Sequence, residues 1–264
     1  VAVHHDGVRL LLQQADLPAG VVNMIQGARD TGQYLAQHPG LDGLFFTGSA
    51  TVGRAIAKTL ADQPHKILAL EMGGNNPLVI WGVADLDAAA YLTVQSAFIT
   101  SGQRCTCARR LILPRGREGD VFLDKVVATI SRVRVGPHTD RPEPFIGPVI
   151  SAQAAQRCLD AQDQLRRQGG IVIVPMATVR DCPAMVSPGV IDVTSIPSRR
   201  DEEIFGPLLQ VVRVSDFDAA LREANNTRFG LAAALFSDSQ ALYDRFYRTV
   251  RAGVVNWNRQ STGA

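Results

Sequence analysis

The 264 residues amount to about 1.8 domains at roughly 150 residues per domain, ample for a buried core without a metal or disulfide staple. With 46% hydrophobic and 20% charged residues the chain is not intrinsically disordered, and apolar runs of about six residues, such as Leu231–Phe236, are too short to span a bilayer. A net charge of +2 gives no ground for a nucleic-acid partner, and four cysteines (Cys105, Cys107, Cys158, Cys182) are too few for a disulfide scaffold.

Helix-like and strand-like segments alternate along the chain. A helical stretch over Gly7–Ala15 leads to the apolar run Val21–Ile25, a helix over Thr31–Gln37 and a short buried strand over Gly43–Thr47. A helix over Val52–Leu60 and a strand over Lys66–Leu70 follow. Beyond Gly73-Gly74 come a strand over Leu78–Trp81 and a long helix from Asp85 to Thr100, with Asp85 as its N-cap. Helix Gln153–Arg167, strands Ile171–Val174 and Leu208–Val214, helix Phe217–Ala224, strand Leu231–Phe236, helix Gln240–Val250 and strand Gly253–Asn256 complete the pattern. The alternation predicts an α/β fold built on a parallel sheet, with a domain boundary near residue 72.

Four segments have the composition of reactive or ligand-holding sites. Gly48-Ser49-Ala50-Thr51-Val52-Gly53 follows a strand and opens a helix, where free amides favour a phosphate. It is not the G-x-G-x-x-G fingerprint, and such a turn is more often simple punctuation between strand and helix. Glu71, ending an apolar strand beside two glycines, reads as a general base or as a solvated carboxylate. Cys105 lies past a long helix near Arg104, Arg109 and Arg110, a setting that favours a thiolate nucleophile. The alternatives are a buried structural thiol or a C-x-C redox pair with Cys107. Glu202-Glu203-Ile204-Phe205-Gly206-Pro207 joins an acidic pair to a turn, and a carboxylate there can accept both hydroxyls of a ribose. No His/Cys spacing suits a metal.

Together these segments resemble the aldehyde dehydrogenase superfamily. Its cysteine signature F-x-x-x-G-Q-x-C is met by Phe98, Gly102, Gln103 and Cys105, and L-E-x-G-G-x-x-P by Leu70, Glu71, Gly73, Gly74 and Pro77. G-S-x-x-x-G falls on Gly48, Ser49 and Gly53, and E-x-F-G-P on Glu203, Phe205, Gly206 and Pro207. Asn225 to Leu231 resembles a fifth family block, N-N-x-x-[YF]-G-L. The stretches Ile67–Leu78, Ser101–Leu111 and Ala252–Asn258 resemble the branch acting on a succinylated glutamate semialdehyde in bacterial arginine catabolism. Asn75 stands where most of the family has Lys.

The resemblance implies a Rossmann-type cofactor domain, of which residues 1–72 are the later part, and an α/β catalytic domain over residues 73–264. It implies a cytoplasmic, NAD-dependent enzyme, dimeric or tetrameric in full-length form, with a small semialdehyde as substrate. Glutamate or succinate semialdehyde is the alternative substrate, and a silent domain the alternative to an enzyme. Cys105 is then the nucleophile and Glu71 the base that activates water. Gly48, Ser49, Ala50, Thr51, Val52 and Gly53 line the cofactor cleft, and Met72 meets the nicotinamide end. Glu203 holds the nicotinamide ribose, with Phe205 beside the ring. Arg259 and Ser261 lie within reach of the substrate carboxylates. Enzymes of this family are about twice as long, so the chain is expected to be truncated at both ends and impaired alone, without the upstream asparagine of the oxyanion hole.

Overall fold

The structure, a computed structural model, describes residues 14, 15, 17, 18 and 20–262, so most of the helix expected over Gly7–Ala15 lies outside the described residues. The chain forms two compact units, one ending at Glu71 and the other beginning at Met72.

In the first unit, helix α1 (Arg29–Gln37) is followed by β1 (Gly43–Gly48), α2 (Ala50–Leu60) and β2 (Ile67–Met72), with β1 and β2 paired in a two-stranded sheet. The apolar run Val21–Ile25 forms no strand, and four of its five side chains are exposed hydrophobics. Ser49 caps α2 by accepting a hydrogen bond from the Val52 N–H at 3.3 Å, so the helix starts two residues earlier than its apolar spacing predicts. The strand expected to be buried at Gly43–Thr47 is not. Its side chains alternate between half-buried and exposed, and Phe45 is 80% exposed, because α2 packs on β1 while alternate side chains of a strand point away.

The second unit is a seven-stranded sheet in the order β5-β6-β7-β4-β3-β8-β9. Its strands are β3 (Asn76–Ile80), β4 (Ala108–Pro114), β5 (Ile171–Val174), β6 (Gly189–Asp192), β7 (Leu208–Val214), β8 (Ala232–Phe236) and β9 (Val254–Trp257). All neighbours pair in parallel except β5, which runs antiparallel to β6. Parallel strands covered on both faces are apolar throughout, and every residue of β3, β4 and β8 is buried. Alternation sorts these side chains into two cores. Leu78, Ile80, Leu111 and Leu113 pack with α3 (Leu86–Phe98) and α4 (Arg117–Ile130). Val79 and Ile112 pack with α5 (Ala152–Arg167), α6 (Phe217–Ala224) and α7 (Gln240–Thr249).

Asp85 caps α3 as expected, accepting from the Ala88 N–H at 2.9 Å, but the helix stops at Phe98 and a single 3₁₀ turn occupies Ile99–Gly102. No element is expected from the sequence at β4, α4 or β6, although Phe122, Leu123, Val126 and Ile130 of α4 recur at helical spacing on its buried face. β4 is disguised by Arg109 and Arg110, whose charges are taken up by other parts of the chain.

Candidate active site

β3, β4 and β7 are adjacent and parallel, and three of the reactive-looking segments lead directly into them. Gly73-Gly74 precedes β3, Cys105 precedes β4, and Glu203–Pro207 precedes β7. The site therefore gathers at the N-terminal edge of the sheet, opposite the strand ends where ligands usually bind in open α/β sheets.

The loop leading to Cys105 is a strained turn. Thr100, Ser101 and Gly102 have φ of 55°, 58° and 69°, a left-handed run that is costly for the two residues with side chains. Surrounding bonds hold it. Ser101 Oγ donates to Gly147 O at 2.8 Å, Gln103 Oε1 accepts from the Ile150 N–H at 2.8 Å, and Arg104 Nε donates to Thr100 Oγ1 at 3.0 Å. Asn76, buried at the start of β3, anchors the far side of the loop. Its Nδ2 donates to Cys105 O at 2.7 Å and to Cys107 O at 2.9 Å, and its Oδ1 accepts from the Ala232 N–H of β8 at 3.1 Å. Cys105 itself is exposed. Its neighbour Cys107 is buried, and burial pushes that thiol up despite Arg109, which disfavours Cys107 as a thiolate in a redox pair.

At Gly102 the backbone conformation and the close approach both require glycine. A Cβ there would run into the Gly206 carbonyl. Gly102→Ala is expected to destabilise the fold by about 1–3 kcal/mol and to lower turnover through a displaced Cys105 loop. An unchanged denaturation midpoint together with unchanged turnover would contradict this clamp.

The cations near Cys105 divide their tasks. Arg110 turns away: Nε donates to Asn75 O at 3.0 Å, Nη1 to Glu223 O at 2.6 Å, and Nη2 to Ala224 O at 3.0 Å. It is therefore engaged elsewhere and is not the thiolate-stabilising cation that its place in the sequence suggests. Arg109, fully buried, reaches back to the loop, with Nη1 donating to Gly102 O at 2.7 Å and Nη2 to Arg104 O at 3.0 Å.

Glu203 closes this edge. A Cβ at Gly73 would collide with its carboxylate, so the glycine lets the acid lie directly on the β3 approach. Burial pushes the Glu203 carboxyl up, while Arg109 and the Gly74 N–H work in the opposite direction. Its Oε1 is buried and accepts no hydrogen bond, the condition expected of an oxygen reserved for a ligand hydroxyl. Phe205 is exposed beside it, and Glu203, Phe205, Cys158 and Gln103 line one cleft of about 350 Å³.

The fifth block has a structural task. Asp201 accepts from Asn75 Nδ2 at 3.1 Å, Thr227 Oγ1 at 2.7 Å and the Arg228 N–H at 2.7 Å. Burial raises its carboxyl, but these donors outweigh that and hold it below the usual range. Asn75, Asp201 and the Asn225–Leu231 block thus form a buckle beside the site. Sequence reasoning gave Asn76 and Asp201 no role and read Arg109 only as a cation near Cys105. For Asn76 the one local signal is its place two residues after the glycine pair.

The remaining candidates lie as follows. Gly48 ends β1 and Ala50–Gly53 open α2, with the Ser49 hydroxyl engaged as the cap. Glu71 is exposed on β2, and Met72 is half-buried. Past β9, Arg259 is exposed. Ser261, expected within reach of substrate, is instead 1% exposed: its N–H donates to Ser96 Oγ at 3.1 Å, which draws it against α3. Among the described residues no group of three His, Cys, Asp or Glu could hold a metal, and no helix is long and apolar enough to cross a membrane.

Comparison with known proteins gives a consistent pattern. The aldehyde dehydrogenase family profile matches residues 8–264. Over 251 residues the chain is 55% identical to N-succinylglutamate 5-semialdehyde dehydrogenase of Ectopseudomonas mendocina (strain ymp) and 54% identical to the protein of that name from Pseudomonas fluorescens (strain Pf0-1). Each match covers 95% of this chain but 52% and 51% of those proteins, so the chain spans about half the length of the curated relatives it matches. A solved 1-pyrroline-5-carboxylate dehydrogenase from Thermus with bound NAD superposes with a TM-score of 0.90 at 32% identity, over 98% of this chain and 51% of that one. From its sequence blocks, its sheet and these matches, the chain belongs to the aldehyde dehydrogenase family and has that family's α/β fold.

Proposed function

We propose that, within the full-length enzyme, this chain carries out the NAD-dependent oxidation of N-succinylglutamate 5-semialdehyde to N-succinylglutamate. The observation that supports it most is the shared edge of β3, β4 and β7, where the segment of exposed Cys105, on a braced turn, neighbours the segment bearing the buried carboxylate of Glu203.

In this reading the Cys105 thiolate adds to the aldehyde carbon. A C–S bond forms and the carbonyl pair moves to oxygen, where backbone N–H groups near Cys105 supply part of the stabilising field. Bound NAD supplies the acceptor for the hydride that this carbon then loses. Cys105 is left holding the acyl group as a thioester. Water attacks the thioester while passing a proton to Glu71, the C–S bond breaks, and the thiolate and the carboxylic acid separate. Glu203 Oε1 suits a ribose hydroxyl, since it is a buried acceptor whose nearest ion-pair partner, Arg109 Nη2, stands 3.6 Å away. Phe205 offers a face for the nicotinamide, Met72 backbone contacts, and the Gly48–Gly53 turn the rest of the cofactor cleft. We place the enzyme, as an oligomer, in the bacterial cytoplasm and in arginine catabolism.

The substrate carries two carboxylates remote from the aldehyde, which favours arginine as anchor. Arg259, exposed just past β9, is the candidate. Arg259→Ala is expected to raise KM for the succinylated substrate by about tenfold or more, on the scale of 1.4 kcal/mol, and hardly to affect a short neutral aldehyde. Equal effects on both would sink this assignment. The function as a whole is tested by kcat/KM of the full-length enzyme on a panel of semialdehydes with NAD. The succinylated glutamate semialdehyde should lead, and a higher value for glutamate or succinate semialdehyde would replace it as the substrate.

A further inference from the structure

Arg109 has no counterpart among the residues the mechanism uses, yet it is one of the largest fully buried side chains of the protein. Its guanidinium touches both halves of the site. Nη1 donates to Gly102 O at 2.7 Å and to Gly206 O at 3.2 Å, and Nη2 donates to Arg104 O at 3.0 Å. The same Nη2 lies 3.6 Å from Glu203 Oε1, and Cζ lies 5.4 Å from the centre of the Phe205 ring. Gly102 and Arg104 bracket the turn that leads to Cys105. Gly206, Phe205 and Glu203 belong to the segment before β7. An unbranched apolar side chain would fill this space without desolvating a charge, so the volume alone does not call for arginine.

The 3.6 Å separation matters. At that distance Arg109 pairs with Glu203 by charge and at most by a long hydrogen bond, so it supports the ionised carboxylate while leaving most of the acceptor capacity of Oε1 unused. We propose that Arg109 is a positioning residue that ties the Cys105 loop to the Glu203–Phe205 segment and keeps Glu203 ionised with Oε1 free for a cofactor hydroxyl. This rests on the reading that Glu203 holds the ribose of NAD.

The electrostatic consequence follows from what faces Glu203. Burial favours its neutral form, whereas Arg109 from β4 and the Gly74 N–H from the β3 approach favour the ionised form. Arg157 and Asp160 of α5, and Arg200 and Glu202 of its own segment, line the same cleft. With Arg109 removed, the strongest charge opposing burial is gone. Glu203 then takes up its proton at higher pH, and NAD affinity falls off at higher pH on acidification.

The test is equilibrium NAD binding to the full-length enzyme across acid to neutral pH, for Arg109→Met, Arg109→Lys, Glu203→Gln and the Arg109→Met/Glu203→Gln pair. Arg109→Met is expected to weaken NAD binding by about tenfold and to move the acid fall-off upward in pH, with Arg109→Lys restoring the parent fall-off and only part of the affinity. In the Glu203→Gln background, Arg109→Met should move no pH dependence. Should Arg109→Met fail to fold, the lysine variant still decides. Lysine keeps the charge but loses the fork, so its acid fall-off must stay at the parent pH while the affinity drops by a few-fold. A loss of affinity without any pH displacement in Arg109→Met, or a displaced fall-off in Arg109→Lys, overturns the proposal. Unchanged NAD binding by Glu203→Gln overturns the ribose assignment itself, which separates the two failures.

Discussion

Cys105→Ser is expected to lower aldehyde oxidation by the full-length enzyme by at least about 10³-fold while leaving NAD binding close to that of the parent. Serine preserves the shape of the side chain but not the nucleophile, since a hydroxyl is ionised far less readily than a thiol near neutral pH. The loop should survive the exchange. Its geometry comes from main-chain and neighbouring groups, namely Asn76 on Cys105 O, Ser101 on Gly147 O and Arg109 on Gly102 O, none of which involves the thiol. Turnover measured beside a thermal or denaturant midpoint separates loss of chemistry from loss of structure. Retention of a tenth or more of the parent activity would remove Cys105 from the mechanism.

Glu71→Gln is expected to be the next most damaging change, with a different signature. Glutamine cannot accept the proton of the attacking water, and the loss of a positioned base typically costs about 10²–10⁴ in rate. Thioester formation does not use that base. The variant should therefore release close to one equivalent of reduced cofactor per site in a rapid burst and then stall. A burst followed by parent-like steady turnover would assign the base elsewhere. A slow first turnover would show that Glu71 acts before the hydride step.

Much of the fold could be read from the chain because parallel strands are apolar on both faces and helices announce themselves at their caps. β3, β8 and α3 with its Asp85 cap are of this kind. β4 defeats the same reasoning, since Arg109 and Arg110 occupy consecutive buried positions whose charges are neutralised by carbonyls and carboxylates distant in sequence. β1 errs in the other direction. Its GLFFT run looks like core, but a two-stranded sheet with α2 on it leaves alternate side chains, Phe45 among them, in solvent. The site divides in the same way. The residues with reactive groups sit in short windows that can be recognised one at a time. What brings Cys105 beside Glu203 is strand order: β7 comes late in the chain but lies next to β4 in the sheet. The roles of Asn76, Arg109 and Asp201 exist only as contacts across that order.

The buried charges also tie this edge of the sheet to neighbouring elements. Arg110 and Arg199 both pair with Glu223, at 3.2 and 2.6 Å, and burial lowers the Arg110 pKa while Glu223 supports its charge. Removing Glu223 would leave one buried and one half-buried guanidinium group without their shared carboxylate, which costs on the order of 3–5 kcal/mol. The strained Thr100–Gly102 turn is thus mounted on a strand whose first residues are fixed from several directions.

Whether Cys105 carries the acyl group during turnover is decided by intact-mass and peptide-mapping analysis of the Glu71→Gln enzyme, quenched after a burst with NAD and the succinylated semialdehyde. The expected result is an acyl adduct two hydrogens lighter than the added aldehyde, as a thioester labile to hydroxylamine, on the peptide containing Cys105 and absent when NAD is omitted. An adduct on another residue, or completed turnovers with no adduct at all, would contradict it.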